Sequence, residues 1–266
     1  MDKLILVITG PEHNGTTYVE KIVYSHPEIF SGIECGILSN KGFFNEEEPF
    51  SEWIYLEEYN WGLNKNIKLD INTPIEKRYE LLYNNKGSGS DYIQQLIKES
   101  KYLVDKTPFY FRDFEVVYNN IQEYNIPIII SIKSLKENYF SYVIKRNVPE
   151  HIFIDRIKLY LDTLRWLNIN KNKLKNVYLF SYNDIIKYNS NFIKKIKEIL
   201  SLKISVDIDL SLDIYNNKIK DCTNKPWYHD WKNDYNKNIN IPKNILEYEK
   251  EFNELIDKLK IELSTI

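Results

Sequence analysis

The sequence predicts an α/β protein of the P-loop-like, three-layer kind, with a mostly parallel central sheet flanked by helices. Two observations carry this reading. Short, continuous apolar runs recur along the chain, and segments with helical spacing separate them, as in a parallel sheet covered on both faces. The first of these runs, Leu4-Ile-Leu-Val-Ile8, passes into Thr9-Gly10-Pro11 and then into a helical segment. The chain therefore opens as strand, glycine-containing loop, helix, the start of a βαβ unit.

The elements follow in order. Thr16 and Thr17 are suited to cap a helix whose apolar positions are Val19, Ile22 and Val23, and His26-Pro27 ends it, because a residue before proline disfavours α geometry. Residues 39 to about 90 are rich in Asn, Tyr and Glu, contain Trp53 and Trp61, and show no clean period. Asn84 to Ser90 is a loop signal. This stretch reads as a lid or acceptor-binding insertion, at about 39–100, within a single domain spanning 1–266. Order resumes with a strand at Tyr102-Leu-Val104, followed by Phe111, Phe114, Tyr118 and Ile121 at helical spacing. Pro127 to Ile132 is a second buried strand, with a helix near 136–146 and a longer one at about 150–170. Val177-Tyr-Leu-Phe180 is a further strand. Amphipathic helices follow at Phe192–Leu200 and Tyr248–Leu263.

Composition limits the function. The 266 residues carry 36 basic and 38 acidic side chains, a net charge of −2, which argues against a general nucleic-acid binder. No apolar run approaches the roughly 20 residues of a membrane span, and Leu4–Ile8 is too short for a signal-peptide core. Cys35 and Cys222 form no CxxC pair, so neither a zinc knuckle nor a disulfide framework is expected, and a cytoplasmic location fits. Among the basic residues only Arg78, Arg112, Arg146, Arg156 and Arg165 are arginines. Lysine is a point charge where arginine is a planar fork, so the substitution of one for the other is not neutral.

The segment Gly10-Pro-Glu-His-Asn-Gly15-Thr16-Thr17 resembles a phosphate-binding loop. Backbone amides of such a loop, with the helix N-terminus behind it, cradle an anion. The nucleotide motif G-x-x-x-x-G-K-[ST] has Lys where this chain has Thr16. That Lys neutralises the β- and γ-phosphates of a triphosphate, so its absence counts against an ATP- or GTP-dependent enzyme.

Beyond this loop the sequence resembles the sulfotransferases that use 3′-phosphoadenosine 5′-phosphosulfate (PAPS). Glu12-His13-Asn14-Gly15-Thr16-Thr17 stands where the family has P-[RK]-S-G-T-[ST]. His26-Pro-Glu-Ile-Phe-Ser-Gly-Ile-Glu34 is similar to tyrosylprotein sulfotransferases, whose catalytic Glu falls at Glu34. Asp105-Lys106-Thr-Pro108 resembles the K-[DT]-P segment. Lys133, after the strand Ile128–Ile132, has Ser141 eight residues on, which is the family's Arg and Ser spacing at the 3′-phosphate. Tyr182 resembles the tyrosine beside the adenosine. Lys225-Pro-Trp-Tyr-His-Asp-Trp-Lys-Asn233 resembles the C-terminal stretch of cytosolic sulfotransferases. These matches run in the family's order from residue 4 to about 235. The departures are His13 for a cation, Asn14 for Ser, Lys133 for Arg and Ser134 for Asp.

The resemblance implies a sulfuryl transfer from PAPS to a hydroxyl of a small-molecule, glycan or peptide acceptor, releasing 3′,5′-adenosine bisphosphate. No metal, nucleic-acid or membrane partner is implied. In its terms Glu34 is the base and Lys106 stabilises charge on the moving group. His13 is either a protonated donor to the leaving phosphate or a neutral loop residue. His13, Asn14, Gly15, Thr16 and Thr17 form the 5′ loop, while Lys133, Ser141 and Lys225 hold the 3′-phosphate. Tyr182 flanks the adenosine, and Trp227 and Trp231 either stack on the adenine or belong to the core. Two rivals are a P-loop kinase using ATP and Mg²⁺, and a non-catalytic nucleotide-binding protein with a degenerate sulfotransferase site.

Overall fold

The structure, a computed structural model, describes residues 2–26, 28–33, 36–39, 74–84, 99–187, 189–204 and 240–263. Its centre is a sheet of five strands: β1 (Leu4–Thr9), β2 (Ile29–Ile33), β3 (Tyr102–Lys106), β4 (Ile128–Ile132) and β5 (Val177–Ser181). Their spatial order is β2-β3-β1-β4-β5, and every pairing is parallel. The apolar runs become inner strands because both of their faces are buried: each residue of β1 and of β4 is buried. β1 lies mid-sheet, so the chain must leave it for an edge and later return on its other side. A crevice forms at such a reversal, at the carboxyl ends of the strands.

Helices cover both faces, which gives the three layers. On one face Ile8 and Ile129 pack with Val19, Ile22 and Val23 of α1 (Thr16–Val23) and with Phe192, Ile196 and Leu200 of α7 (Asn189–Ser201). On the other, Val7, Ile128 and Ile130 pack against three helices: α3 (Phe114–Ile121), α5 (Glu150–Asn170) and α8 (Lys243–Leu263). Alternation along β4 explains the division, since successive side chains point to opposite faces. The long helix α5 buries Phe153, Ile157, Tyr160, Leu161 and Leu164 at three- and four-residue spacing.

Several elements differ from the sequence reading. Neither Thr16 nor Thr17 caps α1. Gly15 does, at φ 84°, with no side-chain cap, and Thr16 is the first helical residue. β2 was not expected as a strand, because Ser31-Gly32 interrupts an already short apolar segment at the sheet edge. The insertion at 39–100 contains α2 (Ile75–Asn84), whose buried face includes the unexpected Arg78, donating to the Ile37 carbonyl at 2.9 Å. The helix read at 136–146 is α4 (Leu135–Tyr139) continued by a π-helical turn, Phe140–Ile144. α6 (Tyr182–Lys187) starts directly at the end of β5.

Candidate active site

The site begins where β1 and β4 end side by side, with Thr9 in register with Ile130. The loop after β1 has to lie flat against β4, and only glycine permits this at position 10: a Cβ there would sit 2.1 Å from the Ser131 carbonyl oxygen. Two side chains then fasten the loops together. Ser131 Oγ donates to the Asn14 carbonyl at 2.6 Å, and the Lys133 amide donates to Asn14 Oδ1. Asn14 Nδ2 turns back to the Glu12 carbonyl at 3.0 Å. Asn14 is fully buried, so it acts as the pin of the loop. The asparagine amide supplies both the acceptor for the Lys133 amide and the donor to the Glu12 carbonyl.

Gly15 is required twice. Its φ of 84° is left-handed, and a Cβ would overlap the Tyr182 ring at 2.1 Å. Tyr182, the first residue of α6, thus packs directly on the loop. Its ring also carries Lys133 Nζ at 4.1 Å from the centroid, within cation–π range. Behind Gly15, α1 presents to the loop an N-terminus without a side-chain cap, with Thr16 buried and Thr17 exposed.

Charge at this end of the sheet is predominantly positive. Burial pushes the Lys133 ammonium down to about 8, although Glu137 pulls the other way. His13 is pushed from 6.5 to about 3, first by burial and then by Arg146, Lys133 and Arg156. It is therefore neutral at physiological pH in the protein without a bound anion. Its ring packs on Tyr142, centroids 5.0 Å apart. Ser141 precedes Tyr142 on the π-helical turn and is partly buried. Ser134 caps α4, its Oγ accepting from the Glu137 amide at 3.2 Å within a capping box.

Lys106 closes β3, in register with Ile8 of β1. It is buried and paired with Glu20 of α1 at 3.6 Å, and Glu20 in turn accepts from Ser31 at 2.9 Å. Its neighbour Asp105 accepts three hydroxyls, from Thr107 and Tyr79 at 2.7 Å and from Tyr110 at 2.8 Å. The structure thus brings together His13, Asn14, Gly15, Thr16, Lys133 and Tyr182, with Ser141 next to Tyr142 and Lys106 across β1. Glu34, Lys225, Trp227 and Trp231 lie outside the described residues.

Sequence reasoning missed the cluster under the loop. Glu12 pairs with Arg112 and lies 3.7 Å from Arg156, and Tyr160 donates to its other oxygen. Its carbonyl also accepts from Asn138 at 2.6 Å. The signal was present in the arginine count: Arg112, Arg146 and Arg156, three of the chain's five arginines, act around this loop. A chain that otherwise uses lysine keeps arginine where a planar fork matters.

No family model matches the sequence, and no curated protein matches it at a significant level. Solved structures do match over nearly the whole chain. One is the sulfotransferase domain of the Synechococcus PCC 7002 olefin synthase, with 14% identity, a TM-score of 0.56, and coverage of 96% of this chain and 94% of that one. A sulfotransferase from Mycobacterium avium matches at 10% identity and TM-score 0.52, covering 97% and 77%. A third, from Alicyclobacillus acidocaldarius, matches at 11% and 0.51, covering 97% and 95%. The chain has the α/β fold of these sulfotransferase domains. Among the described residues no helix is long and apolar enough to cross a membrane.

Proposed function

We propose that the protein is a sulfotransferase that moves a sulfuryl group from PAPS to a hydroxyl of a small-molecule, glycan or peptide acceptor. The observation that carries this reading is the pin at Asn14, which fixes the loop after β1 to Lys133 at the end of β4. It sets a helix N-terminus that has no side-chain cap and a half-buried lysine side by side on a sulfotransferase fold. The donor set suits an anionic group with many oxygen acceptors and no metal: backbone amides, a lysine, a neutral imidazole and hydroxyls.

When bound, PAPS supplies an activated sulfuryl group on a phosphate leaving group. The chain's own residues do the rest. The amides of Gly15, Thr16 and Thr17 receive the 5′ end. Lys133, Ser141 and Lys225 hold the 3′-phosphate, and Tyr182 lies along the adenosine. His13, neutral in the free protein, donates one N–H to the leaving phosphate, and an anion beside it raises its proton affinity. Lys106 leaves Glu20 to meet charge on the moving group. Glu34 takes the proton of the acceptor hydroxyl. The kinase reading is disfavoured because Thr16 stands where a triphosphate needs lysine.

A thermal shift with 3′,5′-adenosine bisphosphate, run beside ATP with Mg²⁺, tests this reading. At about 100 times its dissociation constant a specific ligand adds roughly 2.7 kcal/mol, which for a chain of this size is several degrees. A rise with the bisphosphate alone is the expected result. A rise with ATP and Mg²⁺ alone would install the kinase in its place, and no rise with either would remove the cofactor from the reading.

A further inference from the structure

The loop after β1 carries His13, which packs neutral against Tyr142, where a sulfotransferase-like loop would place a cation. The same tyrosine ring also meets a charge. The Arg156 guanidinium, from α5, lies 4.6 Å from the Tyr142 centroid, so His13 and Arg156 share one ring as a platform. Arg156 is also tethered to the loop through Glu12, at 3.7 Å from Oε1. Arg112 makes the close contact to that same oxygen, and Tyr160 donates to the other. Glu12 is thereby held mainly by Arg112 and Tyr160. Arg156 stands at a distance beyond a hydrogen bond, beside the loop and partly exposed.

We infer that Arg156 is the cation of the 5′ side of the cofactor site, supplying from α5 the positive charge that the loop lacks at His13. The inference rests on the PAPS reading above. Arg156 lies against the Tyr142 ring and within ion-pair range of Glu12, so part of its side-chain freedom is already spent before it meets a phosphate oxygen. Glu12, an odd residue for a phosphate loop, becomes intelligible as the tether: its own charge is matched by Arg112, and what it gains is the placement of a second arginine. Lys133, at the end of β4, serves the 3′-phosphate instead.

Calorimetric titration of two ligands separates the two sides. One is 3′,5′-adenosine bisphosphate; the other is adenosine 3′-monophosphate, which lacks the 5′ group. The wild type is expected to bind both. Arg156→Gln is expected to weaken the bisphosphate by roughly tenfold or more, as for a charge-assisted hydrogen bond, and to leave the monophosphate within about twofold. Arg156→Lys, a milder change that keeps the charge, is expected to give a smaller loss confined to the bisphosphate. The double variant His13→Lys, Arg156→Gln returns the cation to the loop and is expected to recover most of the bisphosphate affinity. Lys133→Ala is expected to weaken both ligands. Equal losses for both ligands in the Arg156 variants, or no loss, would overturn the assignment while the cofactor reading stood. Failure of the wild type to bind either ligand would overturn both.

Discussion

The two strands that flank β1 end in different chemistry. At the end of β3 the charged groups are matched within the protein: Lys106 meets Glu20, and Asp105 takes hydroxyls from Tyr79, Thr107 and Tyr110. At the end of β4 the balance tips the other way. Lys133, Arg146 and Arg156 all act on His13 with the same sign, and burial together with these charges empties the imidazole of its proton. Positive charge held together against its own repulsion marks the place for an anion. The β3 end is a built structural joint with one lysine in it, while the β4 end is the anion site of the proposed reading.

The largest effect that separates them is at Asp105. Asp105→Ala leaves three buried hydroxyls without their acceptor and is expected to cost about 3–5 kcal/mol in denaturant unfolding. The affinity of the folded fraction for 3′,5′-adenosine bisphosphate is expected to stay unchanged. A loss of affinity without a loss of stability would erase the distinction between the two ends.

Lys106 sharpens the comparison from inside the joint. If it exchanges Glu20 for the moving group, Lys106→Ala raises the activation free energy by about 2.7–4 kcal/mol, roughly a hundred- to thousandfold loss of turnover, with little change in cofactor affinity. An effect on stability alone, read by melting and by turnover of PAPS with a suitable acceptor, would make Lys106 part of the joint and nothing more.

The smallest effect belongs to His13. Its folded value of about 3 lies below the ordinary 6.5. The unfolded chain therefore binds the extra proton between these values, and stability falls as pH drops below 6.5, levelling near 3. At pH 5 this amounts to about 2 kcal/mol. His13→Gln is expected to remove that part of the acid slope and to leave stability at pH 8 unaltered. Parallel slopes for the two proteins in urea unfolding would show that His13 is not held in this way.

How much of this was legible in the sequence depends on where the information lies. β4 could be read because a strand buried on both faces is an unbroken apolar run, and Ile128–Ile132 is one. β2 could not, since an edge strand needs apolar residues less and Ser31-Gly32 broke the pattern. α2 was hidden because its buried positions include Arg78 beside Ile75 and Tyr79, and a buried arginine satisfied by a distant carbonyl has no local signature. In the site, Gly15, Lys133 and Tyr182 were found through collinear motifs and are joined by direct contact. Thr16 was read as a cap and is instead the first turn of the helix, because the left-handed Gly15 takes the cap position. The Glu12 cluster draws on residues from three separate segments. Its members meet only after the helices have packed, so no spacing announces them.

On the proposed reading, the loops after β1 and β4 form one anion site. The decisive measurement is a two-dimensional amide NMR titration of the wild type and of Lys133→Ala with 3′,5′-adenosine bisphosphate. The amides of Gly15, Thr16, Thr17 and Lys133 are expected to shift together in the wild type, with one saturation curve, and to need far more ligand in the variant. Shifts confined to another part of the chain, or identical titrations of the two proteins, would contradict it.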